Sequence, residues 1–128
     1  MKLLLDTQLL LWAAYTPERL SPAARAMIED LGNELLFSAA SVWEVVIKRA
    51  LGRPDVRIDP RLLRRGLVEN GYIELPVTTD HALAVDMLPH CHKDPFDRLL
   101  VAQALPEGLS FVTADAQLAA YPGDVRLV

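Results

Sequence analysis

The sequence contains one cysteine, Cys91, in 128 residues. No internal disulfide can form, so nothing in the cysteine content argues for an oxidising compartment. Aromatic residues make up only 6% of the chain, which argues against a stacking surface for single strands. The six glycines form no glycine-rich phosphate loop. No apolar run reaches the roughly 20 residues a membrane span needs; Leu9 to Ala14 falls far short. Met1-Lys2-Leu3-Leu4-Leu5 starts like a signal peptide, but Asp6 interrupts it and no clean cleavage site follows. The expectation is a soluble, cytoplasmic protein without membrane attachment. Positive charge is also scarce, with 13 Lys+Arg against 17 Asp+Glu and a net charge of −4. That balance argues against broad, charge-driven binding to nucleic acid.

What is present is enough to fold. Hydrophobic residues reach 52% and charged residues 23%, which predicts a real core in a single domain over 1–128. The charge is uneven. Residues 48–65 carry Lys48, Arg49, Arg53, Arg57, Arg61, Arg64 and Arg65 against Asp55 and Asp59, a local +5 that leaves −9 elsewhere. Such a run is either a set of solvated helix faces or a patch that attracts phosphate.

Short apolar runs alternate with helical patterns. Strands are expected at 2–5, 35–37, 72–75, 110–113 and 125–128. The helices between them are expected at 9–15, 22–31, 39–51, 60–70, 79–88, 95–105 and 115–121. Ser21-Pro22 and Asp94-Pro95 read as helix starts, with a capping side chain before a proline. Gly32-Asn33, Gly52 with Pro54, Asn70-Gly71, Pro89, and Pro106 with Gly108 read as stops. The alternation predicts a three-layer α/β/α fold around a central parallel sheet.

Four acids then stand out by position. In an open parallel sheet, ligands bind beyond the carboxyl ends of the strands. Asp6 follows the first strand and Asp115 follows the strand ending at Thr113. Glu44 and Asp97 lie in the first turns of helices able to face the same crevice. Converging carboxylates suit a hard divalent cation, Mg²⁺ or Mn²⁺, and such a site equips a phosphodiester hydrolase. Each acid also has a structural reading. Asp6, Asp94 and Asp115 can cap helices. Ser41 to Glu44 fits a capping box, and Asp97 is favourable near a helix dipole.

Leu3-Leu4-Leu5-Asp6-Thr7, Ser38-Ala39-Ala40-Ser41-Val42-Trp43-Glu44, His92-Lys93-Asp94-Pro95-Phe96-Asp97-Arg98-Leu99-Leu100 and Val112-Thr113-Ala114-Asp115 together resemble the VapC-type toxins of the PIN-domain superfamily. The resemblance covers nearly the whole chain. It implies a metal-dependent ribonuclease, the toxin half of a toxin–antitoxin pair, leaving 5′-phosphate and 3′-hydroxyl ends. Asp6, Glu44, Asp97 and Asp115 match the acidic metal-site quartet, and Asp94 matches a further acid of the DPFDR branch. Thr7 and Thr113 are expected to support the site through their hydroxyls. Lys48, Arg49 and Arg53 are candidate contacts to the RNA backbone. The resemblance also implies a homodimer silenced by a small VapB-like antitoxin. Leu10, Leu11, Met27 and Leu31 are candidates for the antitoxin groove or dimer seam, against the alternative that they are core.

Other features carry less. His90-Cys91-His92 with Asp94 invites a zinc reading, but a structural zinc site needs four N/S ligands, and only His81 lies elsewhere. His92 is expected to hydrogen-bond beside the acidic site. Trp12 and Trp43 are expected to be core or interface anchors. Cys91 has no matched base for nucleophilic chemistry. Two competing functions remain. One is a non-catalytic module of the same fold that binds RNA or protein. The other is a phosphatase with Asp6 as nucleophile, which usually wants a second acid where this chain has Gln8.

Overall fold

A computed structural model describes residues 1–53 and 57–128. Five strands, β1 (Lys2–Leu5), β2 (Glu34–Ser38), β3 (Ile73–Leu75), β4 (Ser110–Thr113) and β5 (Val125–Leu127), form one sheet in the order β3-β2-β1-β4-β5. Every neighbouring pair is parallel. The expected parallel α/β architecture is therefore observed.

The helices are α1 (Thr7–Tyr15), α2 (Pro22–Glu29), α3 (Ala39–Ala50), α4 (Pro60–Glu69), α5 (Thr79–Val85) and α6 (Pro95–Glu107). Single 3-10 segments lie at Pro17–Arg19 and Ala116–Ala120. Among the described residues no helix is long and apolar enough to cross a membrane.

Successive strand side chains point to opposite faces, and the apolar strands feed two cores. Leu3, Leu5, Phe37 and Val112 pack with Leu9 and Leu10 of α1, Val45 of α3, and Leu63 and Leu67 of α4. Leu4, Leu36 and Phe111 pack on the other face with Leu100, Val101 and Ala104 of α6 and with Leu118. This double burial explains why the strands read as continuous apolar runs. The chain steps outward from β1 through β2 to β3, then returns to place β4 on the other side of β1. The order reverses between β1 and β4, which opens a crevice at their carboxyl ends.

Several boundaries differ from the sequence reading. α2 stops at Glu29, and Leu31 is fully exposed rather than on its apolar face. The Asp30 carboxylate accepts from the Gly32 amide at 2.8 Å, and Asn33 Nδ2 donates to Met27 O at 3.0 Å. These side-chain bonds close the helix early. α5 ends at Val85 rather than Leu88 because the amides of Asp86, Met87 and Leu88 bond three residues back, tightening the last turn. α6 runs through Pro106 to Glu107. The stop is Gly108, whose φ of +65° is the left-handed cap conformation that favours glycine. Pro54, read as part of the stop after α3, and Asp55 of the charge run lie outside the described residues.

Ser41 is not a helix cap. The cap of α3 is Ser38, whose Oγ accepts from the Ala40 amide at 3.0 Å, while Ser41 is buried inside the helix. The Ser41–Glu44 capping box is thereby corrected: the pattern fits locally, but both side chains are taken by a tertiary contact with α1.

Candidate metal centre

Asp6 lies one residue beyond β1, and its amide still donates to Val112 O of β4 at 3.0 Å. Its backbone is extended, so it ends the strand and caps α1 at once. Oδ1 accepts from the Leu9 amide at 2.8 Å and Oδ2 from the Thr113 hydroxyl at 2.5 Å. Both oxygens are thus aimed from the seam between β1 and β4. Burial pushes the Asp6 carboxyl up, partly offset by these donors.

Glu44 enters from α3 and is also buried. Thr7 Oγ1 lies 2.9 Å from both Glu44 Oε1 and Ser41 Oγ. A hydroxyl has one proton, so Thr7 donates to the carboxylate and accepts from Ser41. Glu44 Oε2 is paired with Lys48 Nζ at 2.5 Å, one helical turn on. Thr7 and Thr113 thus each bind one acid through the hydroxyl.

Asp94 caps α6, with Oδ1 accepting from the amides of Phe96 and Asp97. Asp115 follows β4 and caps the last 3-10 segment through the Gln117 amide at 2.9 Å. Asp97 is different. Its carboxylate accepts no hydrogen bond among the described residues, and His92 Nε2 lies 3.8 Å from its Oδ2. Burial first, then the charges of Asp94, Glu44 and Asp6, push its pKa up to about 7. All five acids line one cavity of about 690 Å³. Oxygens of Asp97 and Asp115 and a ring nitrogen of His92 lie within 4.8 Å of one another.

This donor set fits a divalent cation. The oxygens are hard ligands, and the acid that lacks a donor is the one whose charge its neighbours oppose. The zinc reading of His90-Cys91-His92 gains nothing, since only His92 of that run joins the cluster. Cys91 is exposed.

The remaining candidates separate. Lys48 lines the cavity but is committed to Glu44. Arg49 lies 3.7 Å from Asp59, and Arg64 and Arg65 pair with Glu74 and Glu69, so much of the basic run is balanced locally. Neither Arg49 nor Arg53 lines the acidic cavity. Arg19, which the sequence reading passed over, does line it, together with Trp12, Tyr15 and Leu11. No spacing rule marks Arg19, because it sits in a short 3-10 segment outside any helix pattern. Leu10 is core and Met27 packs partly buried against that core. Trp43 is more than half exposed and meets Phe96 edge-on at 5.3 Å, so it is not a core anchor.

The family model for the PIN domain matches residues 3–124. The chain belongs to the PIN-domain family. Its acids thus sit in a PIN-domain cleft, and the fold matches solved structures end to end. One is a chain of VapBC2 from Rickettsia felis bound to a DNA fragment from its promoter, with TM-score 0.68 and 13% identity over 100% of this chain and 98% of that one. Another is VapBC-1 from nontypeable Haemophilus influenzae, with TM-score 0.62 and 17% identity over 100% and 97%. A third is a toxin–antitoxin complex from Klebsiella pneumoniae, with TM-score 0.62 and 17% identity over 95% and 93%. No curated protein sequence matches the chain.

Proposed function

We propose that this PIN domain is a divalent-metal-dependent endoribonuclease and the toxin of a VapBC-like pair. The observation that carries the reading is the convergence of Asp6, Glu44, Asp94, Asp97 and Asp115 on one cleft, with Asp97 raised to about 7 and without a donor among the described residues. Asp6, Asp97 and Asp115 would hold Mg²⁺ or Mn²⁺, with Glu44 behind them and Asp94 chiefly capping α6. Such a cation supplies positive charge to the scissile phosphate and acidifies the attacking water. The chain's own part is positional. Thr113 and the Leu9 amide fix Asp6, and Thr7 and Lys48 fix Glu44. Pre-set carboxylates need no reorganisation when charge develops on the phosphate.

Lys48, with Arg49 and Arg53 further along the basic run, would guide the RNA backbone by charge. The matched structures are toxin–antitoxin complexes, which supports a small VapB-like antitoxin as partner. An antitoxin arginine entering the acid cluster would form charge-assisted pairs and compete with the cation. A cytoplasmic homodimer is part of the same reading.

The test is to sequence RNA ends after brief induction, with Asp6→Asn as control. New internal 5′-phosphate ends in the wild type alone are expected. RNA bound but uncut by both proteins, at saturating metal, would favour the non-catalytic binding module.

A further inference from the structure

His92 sits beside the acidic site, and two roles are open to its ring. His92 could be a fourth ligand, because its ring nitrogen lies in the same cluster as Asp97 and Asp115. It could equally be a hydrogen-bond donor behind them. The two roles require opposite tautomers, and the hydrogen bonds around the ring distinguish them.

The ring is read from its far side. The Asp94 amide donates to His92 Nδ1 at 3.0 Å. Pro95 follows Asp94 and restricts its backbone to the extended region. The two-residue turn that aims this amide at the ring is therefore built into His92-Lys93-Asp94-Pro95. A neutral imidazole has one donor and one acceptor nitrogen. Acceptance at Nδ1 puts the proton on Nε2. That nitrogen lies 3.2 Å from Asp115 Oδ2. Ligation through Nε2 would need a lone pair there and a proton on Nδ1, which would then face the Asp94 N–H.

The segment carrying His92 is clamped by the residue after Asp97. Arg98 Nη1 donates to Pro89 O at 2.9 Å and to Tyr121 Oη at 3.0 Å, and Nη2 donates to Val85 O at 3.3 Å. The Arg98 guanidinium carbon also lies 5.9 Å from the Tyr121 ring centroid. Tyr121 Oη accepts in turn from the His92 amide at 3.0 Å. One arginine thereby ties α6, the loop before it and the segment after Asp115. Asp115 ends with a donor on each oxygen, the Gln117 amide on Oδ1 and His92 on Oδ2.

We propose that His92 is a positioning residue: held by Arg98 and Tyr121, it donates from Nε2 to Asp115 and stays out of the cation's coordination shell. The inference deepens the nuclease reading and rests on a cation binding at these acids. Partners of this kind orient a ligating carboxylate, and their loss typically costs roughly 10–100-fold in metal affinity.

Three readouts test it, none of which is RNA cleavage. In the metal-free wild type, long-range ¹H–¹⁵N correlation of the histidine rings should find the His92 proton on Nε2; a proton on Nδ1 overturns the proposal. With Mn²⁺ as probe, pulsed electron paramagnetic resonance should detect no imidazole nitrogen on the ion; a directly coordinated nitrogen that persists in His81→Gln and His90→Gln and vanishes in His92→Gln overturns it. In Mn²⁺ titrations, His92→Leu should bind roughly 10–100-fold more weakly. His92→Gln, which keeps an N–H donor, should recover most of that loss. Equal loss in both variants, or none in either, overturns the proposal. Tyr121→Phe keeps the ring but removes the clamp oxygen. It serves if His92→Leu fails to fold, and should weaken Mn²⁺ binding several-fold; unchanged affinity overturns the clamp. A wild type that binds no Mn²⁺ overturns the nuclease reading and the His92 role with it, whereas a wrong tautomer overturns only the latter.

Discussion

Replacing a partly buried acid in a packed site ordinarily destabilises a protein. Asp97→Asn should do the reverse when metal is absent. The Asp97 carboxyl is pushed up to about 7 from an ordinary 3.8. Between those values the native state holds a proton that the unfolded chain has released. Stability therefore falls as pH rises from about 4 to about 7. Three units at about 1.4 kcal/mol each give about 4 kcal/mol by pH 8. The side chain keeps 21% exposure, so water screens part of this and the figure is a ceiling. Asparagine has nearly the same shape and no charge to repel Asp94, Glu44 and Asp6. In EDTA at pH 8, Asp97→Asn should melt higher than the wild type, by up to about 15 °C for a domain of this size. The gap should close towards pH 4. Saturating Mg²⁺ should raise the wild type alone, by about 3 kcal/mol at a hundred times its dissociation constant. Thermal melts followed by circular dichroism at pH 4.5, 6 and 8, with EDTA or Mg²⁺, read all of these effects. An Asp97→Asn protein less stable than wild type in EDTA at pH 8, or a difference that ignores pH, would refute the reasoning.

Other substitutions test other parts of the site. Asp6→Asn should lower RNA cleavage by roughly a thousandfold or more with an unchanged far-ultraviolet spectrum; full activity in this variant contradicts the assignment. Thr7→Val removes the hydroxyl shared by Ser41 and Glu44. It should cost about 1–2 kcal/mol in urea melts and lower cleavage at least roughly tenfold. Ser38→Ala removes the α3 cap and leaves Gln103 Oε1 without its donor. A loss of about 2 kcal/mol is expected in denaturant titrations, and no loss would mean that the buried Ser38–Gln103 contact is unimportant.

Much of the fold was legible because its signals are local. The strands are buried on both faces, so β1 and β4 read as apolar runs. Ser21-Pro22 and Asp94-Pro95 start helices where their chemistry predicts. The acids were legible by position, since Asp6 and Asp115 follow the two strands that flank the reversal of strand order. The errors came where particular side-chain bonds, near or distant, overrode a spacing pattern. Ser41 and Glu44 have capping-box spacing, yet Thr7, over thirty residues away in sequence, takes both. Leu31 has helical spacing, yet Asp30 and Asn33 turn the chain before it. The basic run left two readings open, solvated helix faces or a phosphate-attracting patch, and the spacing could not show that Lys48, Arg49, Arg64 and Arg65 each lie beside an acid. The Arg98 clamp joins Val85, Pro89 and Tyr121, a set with no period to betray it.

The central claim is that the acid cluster works by holding a divalent cation against RNA. Its most direct test is cleavage of a total RNA pool by the purified protein, with EDTA, with Mg²⁺ or Mn²⁺ restored, and with Asp6→Asn in parallel. Cleavage abolished by EDTA, restored by either ion and absent in Asp6→Asn is the predicted result. Cleavage that persists in EDTA, or is equal in Asp6→Asn, would contradict the account.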